Sequence, residues 1–273
     1  MPAVGLLAVA VAATKTPSIA PCVGAVLEAA VATLGRWAAA DMIKLLLAAA
    51  KAKGDAVQPE TRALLFQKVA EVIAPALGEL QPAELVRLAL AAGTSAAGQG
   101  VGHSGQLLEA VAKEAVLRIS DLSQMHLLLL TQGLVPLGGS NKLVRQICSY
   151  WGSVLGEDAE EAADEVTRRR KEVEQRQALP AEQVAKLATV LTPLGPDLDS
   201  DTLDCCFAGI GKRLLEQVGA LSEATRRSLV EQVQKGQGIG LWEQGRENLR
   251  RALEGTGANG NVTRRSRSKS RSK

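Results

Sequence analysis

The sequence predicts an all-α chain, organised as an α-solenoid of about five helix pairs of ~42 residues in the armadillo or HEAT manner. Three observations predict it: an aliphatic composition, a register of apolar residues that recurs along the chain, and Gly or Pro between the apolar runs. Hydrophobic residues make up 46% of the 273 residues, while aromatics make up only 2%. The core must therefore come from Leu, Ala and Val, which suits packed helices and suits strands poorly.

The register is carried by five segments, which open at Trp37, Leu80, Leu122, Leu179 and Leu221. The intervals are 43, 42, 57 and 42 residues, so one unit is oversized by about 15. Each large apolar anchor is followed by a helix-start signal such as Gln81-Pro82, Ser123, Pro180 or Ser222. Serine at the N-cap and proline in the first turn are both favoured there. Five residues after the anchor stand Met42, Leu85, Leu127 and Val184, with Arg226 breaking the rule in the fifth unit. Eight residues after it stand Leu45, Leu88, Leu130, Leu187 and Leu229 without exception. Each segment then runs to a glycine (Gly54, Gly93, Gly138, Gly195, Gly236), read as the exit from the helix.

These segments are the second helices of the pairs. The first helices are expected at 23–34, 64–77, 107–119, 143–155 and 203–218, where apolar residues also recur at helical spacing. The domain plan is then a flexible lead-in over 1–20, a repeat domain over 21–254, and a disordered tail over 255–273. The oversized interval is explained by a charged insertion over 156–176, acidic first and basic at 168–171. A polar closing helix is expected at 241–253, because the end of a stacked array must face water.

Charge divides the chain. The tail holds Arg264, Arg265, Arg267, Lys269, Arg271 and Lys273 and no acid, and without those six the remaining 26 basic and 29 acidic residues leave a net charge of −3. A uniformly basic nucleic-acid binder is excluded, while a local patch is not. Ser266, Ser268, Ser270 and Ser272 alternate with the bases and are candidate phosphorylation sites that would neutralise them. This tail resembles the Arg-Ser segments of splicing factors, and it reads equally well as a nuclear localisation signal or a generic basic appendage.

Catalytic signals are sparse, and the chain is expected not to be an enzyme. Two histidines and four separated or vicinal cysteines (Cys22, Cys148, Cys205, Cys206) give no metal-ligand spacing, and no cofactor is expected. The thiols read as small core residues of a reducing compartment. Gly100-Val101-Gly102-His103-Ser104-Gly105 satisfies G-x-G-x-x-G, but a helical pattern precedes it where a dinucleotide site needs a strand. It reads as a loop between units. No apolar run long enough to span a membrane is present, and no small-molecule site is evident. The formal glycosylation sequon at Asn261 has no other sign of secretion beside it.

What remains is surface. Seven residues after the anchor stand Lys44, Arg87 and Lys186, with Arg226 and Arg227 beside that position in the fifth unit and Leu129 in the third. On stacked helices these form a spaced basic row able to follow a phosphate backbone. The bland reading is a solvated outer face.

The joint Leu122-Ser123-Gln124-Met125-His126-Leu127, and Leu80-Gln81-Pro82-Ala83-Glu84-Leu85, resemble the L-S-x-x-[DE]-L joint of the FAST-kinase-like and heptatricopeptide helical repeats. They are similar as well to those of the helical-repeat subunits of the RNA-editing substrate-binding complex. The resemblance spans about residues 23–240 and implies non-catalytic RNA binding in RNA processing or organellar gene expression, in a mitochondrion or plastid. Nothing after Gly240 resembles the RAP domain of many such proteins, and the repeat aromatics are scarce. The alternative is a protein-interaction scaffold of the armadillo or HEAT kind whose tail localises it. Its partners would be RNA, proteins, or both, along one face of the array.

Overall fold

A computed structural model describes residues 3–13, 16, 22–52, 57–99, 102–155, 179–243 and 245–255. Among them there is no strand, and twelve α-helices carry the fold. They are α1 (Ala3–Ala13), α2 (Val23–Val31), α3 (Ala39–Lys51), α4 (Pro59–Ile73), α5 (Pro82–Gln99) and α6 (Gly102–Leu117). They continue as α7 (Gln124–Leu134), α8 (Lys142–Leu155), α9 (Ala181–Leu191), α10 (Ser200–Gln217), α11 (Glu223–Gln234) and α12 (Arg246–Gly255). The charged insertion lies outside the described residues, as does the tail beyond α12.

The joints explain why the apolar anchors recur. A short 3₁₀ turn precedes four of them: Leu34–Arg36, Ala74–Glu79, Ile119–Asp121 and Val218–Ala220. The anchor amide then donates back across the turn, from Trp37 to the Leu34 carbonyl at 2.9 Å and from Leu80 to Leu77 at 3.2 Å. Leu122 and Leu221 repeat the bond at 3.3 Å to Ile119 and Val218. Each of these anchors has extended backbone, which ends one helix and aims the next. All five anchors are buried, so the reversal is held from inside by side-chain packing. Ser123 and Ser222 cap the helices that follow, accepting from the amides of His126 and Thr225. Gln81 lacks a capping oxygen of that kind. There Glu84 reaches back to the Gln81 amide at 3.0 Å, a half of the capping box.

The chain alternates between two files of helices. The first helices touch in succession, α2 with α4, α4 with α6, α6 with α8, and α8 with α10. The second helices do the same, α3 with α5, α5 with α7, α7 with α9, and α9 with α11. Leu45, Leu88, Leu130, Leu187 and Leu229 are all buried between the files. Trp151 of α8 donates its indole N–H to Thr131 of α7 at 3.0 Å, and Thr131 donates to the Leu127 carbonyl, so this buried polar pair is satisfied.

Several expectations are corrected. Residues 3–13 are not a flexible lead-in: α1 buries Leu6, Ala10 and Ala13 and packs on α2 and α3, because its small apolar residues have a ready face to cover. Gly93 does not end its helix. It lies inside α5, and a Cβ there would overlap the carbonyl oxygen of Gly133 in α7. These glycines exist for the close approach of two helices, which overrides their poor helix propensity. Gly138 and Gly236 do sit at exits, with φ of +78° and +63°, and Gly54 lies outside the described residues. The Gly102–Gly105 stretch is no loop, since α6 begins at Gly102. The closing helix begins at Arg246, not at 241, because Trp242 folds its ring against Gly211 and Gly245, where a side chain would collide with it.

Candidate functional site

Equivalent positions on the second helices do place the sequence-derived cations outward, but they do not make a uniform basic row. Lys44, Arg87 and Lys186 are exposed on α3, α5 and α9. Lys44 is paired with Asp41 at 2.9 Å. Arg226 is half-buried and shares Glu223 with Arg227, at 3.4 and 3.0 Å. Arg87 and Lys186 have no ion-pair partner among the described residues. Between their two helices, α7 presents half-buried Leu129 at the same register. The tail cations and serines (264–273) lie outside the described residues.

Acids are interleaved with these bases. Lys186 lies in a trough between α9 and α11 that also holds Glu182, Thr225 and Ser228. Glu182 accepts from the Thr225 hydroxyl at 2.6 Å and from the Ser222 amide at 2.5 Å. Those bonds, the Thr225 hydroxyl first, hold its carboxyl below the usual range for glutamate. Glu182 thus joins one second helix to the next, and Gln124 makes a comparable bond from the Leu179 amide at 3.0 Å. Arg226 and Arg227 share their trough with Glu223, Glu231 and Glu254. Coulombic fields of both signs therefore meet on this face, which weakens its pull on a polyanion.

The feature that the sequence reading missed is apolar. An open groove of about 490 Å³ runs between α5, α7 and α9, and no charged residue lines it. Its walls include Leu90 and Ala97 from α5, Val135 and Pro136 after α7, and Val190 and Pro193 at the end of α9. Gly133, with no side chain to fill the space, forms part of the floor. One signal was available: Val135-Pro136-Leu137-Gly138 and Thr192-Pro193-Leu194-Gly195 repeat a Pro-Leu-Gly at the same distance from their anchors. The prolines were read as punctuation, whereas they also supply groove walls.

Among the described residues no three His, Cys, Asp or Glu side chains gather to hold a metal ion. Cys148 and Cys206 are buried together between α8 and α10, while Cys22 and Cys205 are exposed, contrary to the expectation of four core thiols. Hydrogen bonding with Cys148, then burial, pushes the Cys206 thiol well above its ordinary value. A thiol so protonated packs rather than attacks.

No match is found among family models, curated proteins or solved structures. Function must therefore be argued from this surface.

Proposed function

We propose that the chain is a non-catalytic protein-interaction scaffold, an α-solenoid of five helix pairs whose binding face is the file of second helices. The recurrent anchors, the buried leucines at one register and the succession of helix contacts support the solenoid. The apolar groove between α5, α7 and α9 carries the functional reading. A monomer gains nothing from leaving such a concavity open, and apolar recesses with a polar surround are where proteins take ligands. The interleaved acids favour a protein over RNA on this face.

RNA binding is the second reading, favoured by Arg87 and Lys186, which have no ion-pair partner among the described residues, by the resemblance of the joints, and by the basic tail. RNA affinity measured against salt separates the two, using the full chain, a chain ending at Val262, and a Lys44→Glu/Arg87→Glu/Lys186→Glu triple variant. For a scaffold, RNA binding is weak and disappears with the tail, and the triple variant matches the unaltered chain. For an RNA-binding body, affinity survives truncation, falls steeply with salt and drops at least tenfold in the triple variant. The scaffold is tested directly by crosslinking in cells, which should join partner proteins to α5, α7 and α9.

A further inference from the structure

We infer that Cys148 and Cys206 form a redox-switchable staple: hydrogen peroxide joins their sulfurs into a disulfide that ties α8 to α10, and a thiol reductant releases it. The two side chains come from the first helices of successive pairs, and both are fully buried. They are hydrogen-bonded to each other, so no third group stands between the sulfurs. Backbone distance gives an independent constraint. A disulfide needs its two Cα atoms within about 7 Å, which facing helices reach only where they pack closely. Gly152 provides that approach. It stands one turn after Cys148, and a Cβ there would lie 3.0 Å from the Cys205 carbonyl carbon and 3.1 Å from its oxygen. The backbone of α10 beside Cys206 thus rests directly on α8, in the most extensive helix pairing among the described residues.

The other two thiols are poorer partners. Cys22 stands before α2, far along the first file. Cys205 is exposed, and adjacent residues of a helix do not face each other, so it cannot bridge to Cys206. The chemistry balances within the pair and the peroxide. One sulfur takes an oxygen: the S–O bond forms, the O–O bond breaks, and the departing hydroxide leaves as water with the thiol proton. The second sulfur then attacks the first: the S–S bond forms, the S–O bond breaks, and hydroxide leaves as water with the second proton. Two thiols lose two electrons, and one peroxide becomes two waters. Burial and protonation of Cys206 slow the first step while the helices are closed, so oxidation proceeds through their opening. The bond then fixes the closed arrangement. That matters most at α8, which no short joint ties to its second helix: it ends at Leu155, and α9 begins only at Ala181. The place of α8 in the file therefore depends on its neighbours, and the staple secures it to one of them. The switch is independent of what the second helices bind.

The test uses the full chain, first reduced and then treated with hydrogen peroxide. Intact mass should fall by two hydrogen atoms, and proteolytic mapping should find Cys148 joined to Cys206. Dithiothreitol should reverse both results. The bond should raise Tm by several degrees and slow hydrogen exchange in α8 and α10 about tenfold. Cys205→Ser should keep the bridge, and Cys206→Ala should abolish it. If Cys206→Ala does not fold, the mapping of the unaltered chain decides by itself. A bridge between Cys148 and Cys205, a bridge between two chains, or oxygen added at the buried sulfurs without a bridge would overturn the inference. So would a bridge that Cys205→Ser abolishes, or one that leaves exchange in both helices unchanged.

Discussion

Glycine acts here with opposite signs at different positions. In α5 and α7, Gly93 and Gly133 let two backbones meet, and a Cβ on either would strike backbone atoms of the other helix. Helix propensity alone predicts that alanine would add up to about 1 kcal/mol at each. Overpacking predicts a loss of about 1–3 kcal/mol, and it should win because backbone cannot move aside as a side-chain tip can. Gly219 is the control: it lies in a joint, with nothing near the place a Cβ would take. Thermal melts should show Gly93→Ala and Gly133→Ala lowering Tm by several degrees, while Gly219→Ala holds or raises it by the smaller entropic gain. A rise in Tm at Gly133 would mean the helices are not in such contact. Thr131 is a second sensitive position. Thr131→Val strands the buried indole N–H of Trp151, and its loss should cost about 1–3 kcal/mol in a denaturant titration.

Between elements, the bond from one second helix to the next is electrostatic as well as apolar. Glu182 is held ionised by Thr225 and Ser222, so its folded-state affinity for a proton is below the ordinary glutamate value of 4.5. The sign follows: the contact contributes fully above that value and is lost as pH falls through the lower folded one. Glu247 in α12 is held more firmly, at about 2 by hydrogen bonds from Arg250 and then Arg251, so its cluster persists further into acid. Hydrogen exchange between pH 6 and 3 should show α11 amides losing protection below about 4.5 before those of α12 do. Glu182→Gln should remove the pH dependence at α11. The same elements show what a sequence can disclose. The anchors and the leucines eight residues later were legible because burial on one face of a helix imposes a period on the chain. The closeness of α5 to α7 was not, because a glycine inside a helix and a glycine at its exit are the same letter. The basic row was legible as positions, but not the acids that pair with Lys44, Arg226 and Arg227. Those pairs depend on rotamers within one helical turn, and on which carboxylate a neighbouring helix has already engaged. The groove was hidden for a like reason, since its walls come from three units and no single segment contains it.

Across the whole molecule, two files of helices that touch chiefly in succession should behave as a one-dimensional array, in which stability is a sum over neighbours. Leu88 and Leu229 occupy the same register and are both fully buried, so truncating either to alanine removes the same atoms at about 2–5 kcal/mol. Their neighbourhoods differ. Leu88 lies in α5, which packs on α3, α6 and α7 in the middle of the array, whereas Leu229 lies in α11, which packs chiefly on α9, α12 and the turn before α12 among the described residues. An array can lose its end and keep its middle. Leu229→Ala should therefore raise hydrogen exchange in α10–α12 and leave α3–α7 protected. Leu88→Ala should weaken protection on both sides of α5, because every path along the second file passes through it. A bundle around one shared core would respond otherwise, with both variants lowering protection throughout in a single cooperative step. That uniform response would remove the solenoid from the description, and with it the idea that successive second helices present one continuous binding face.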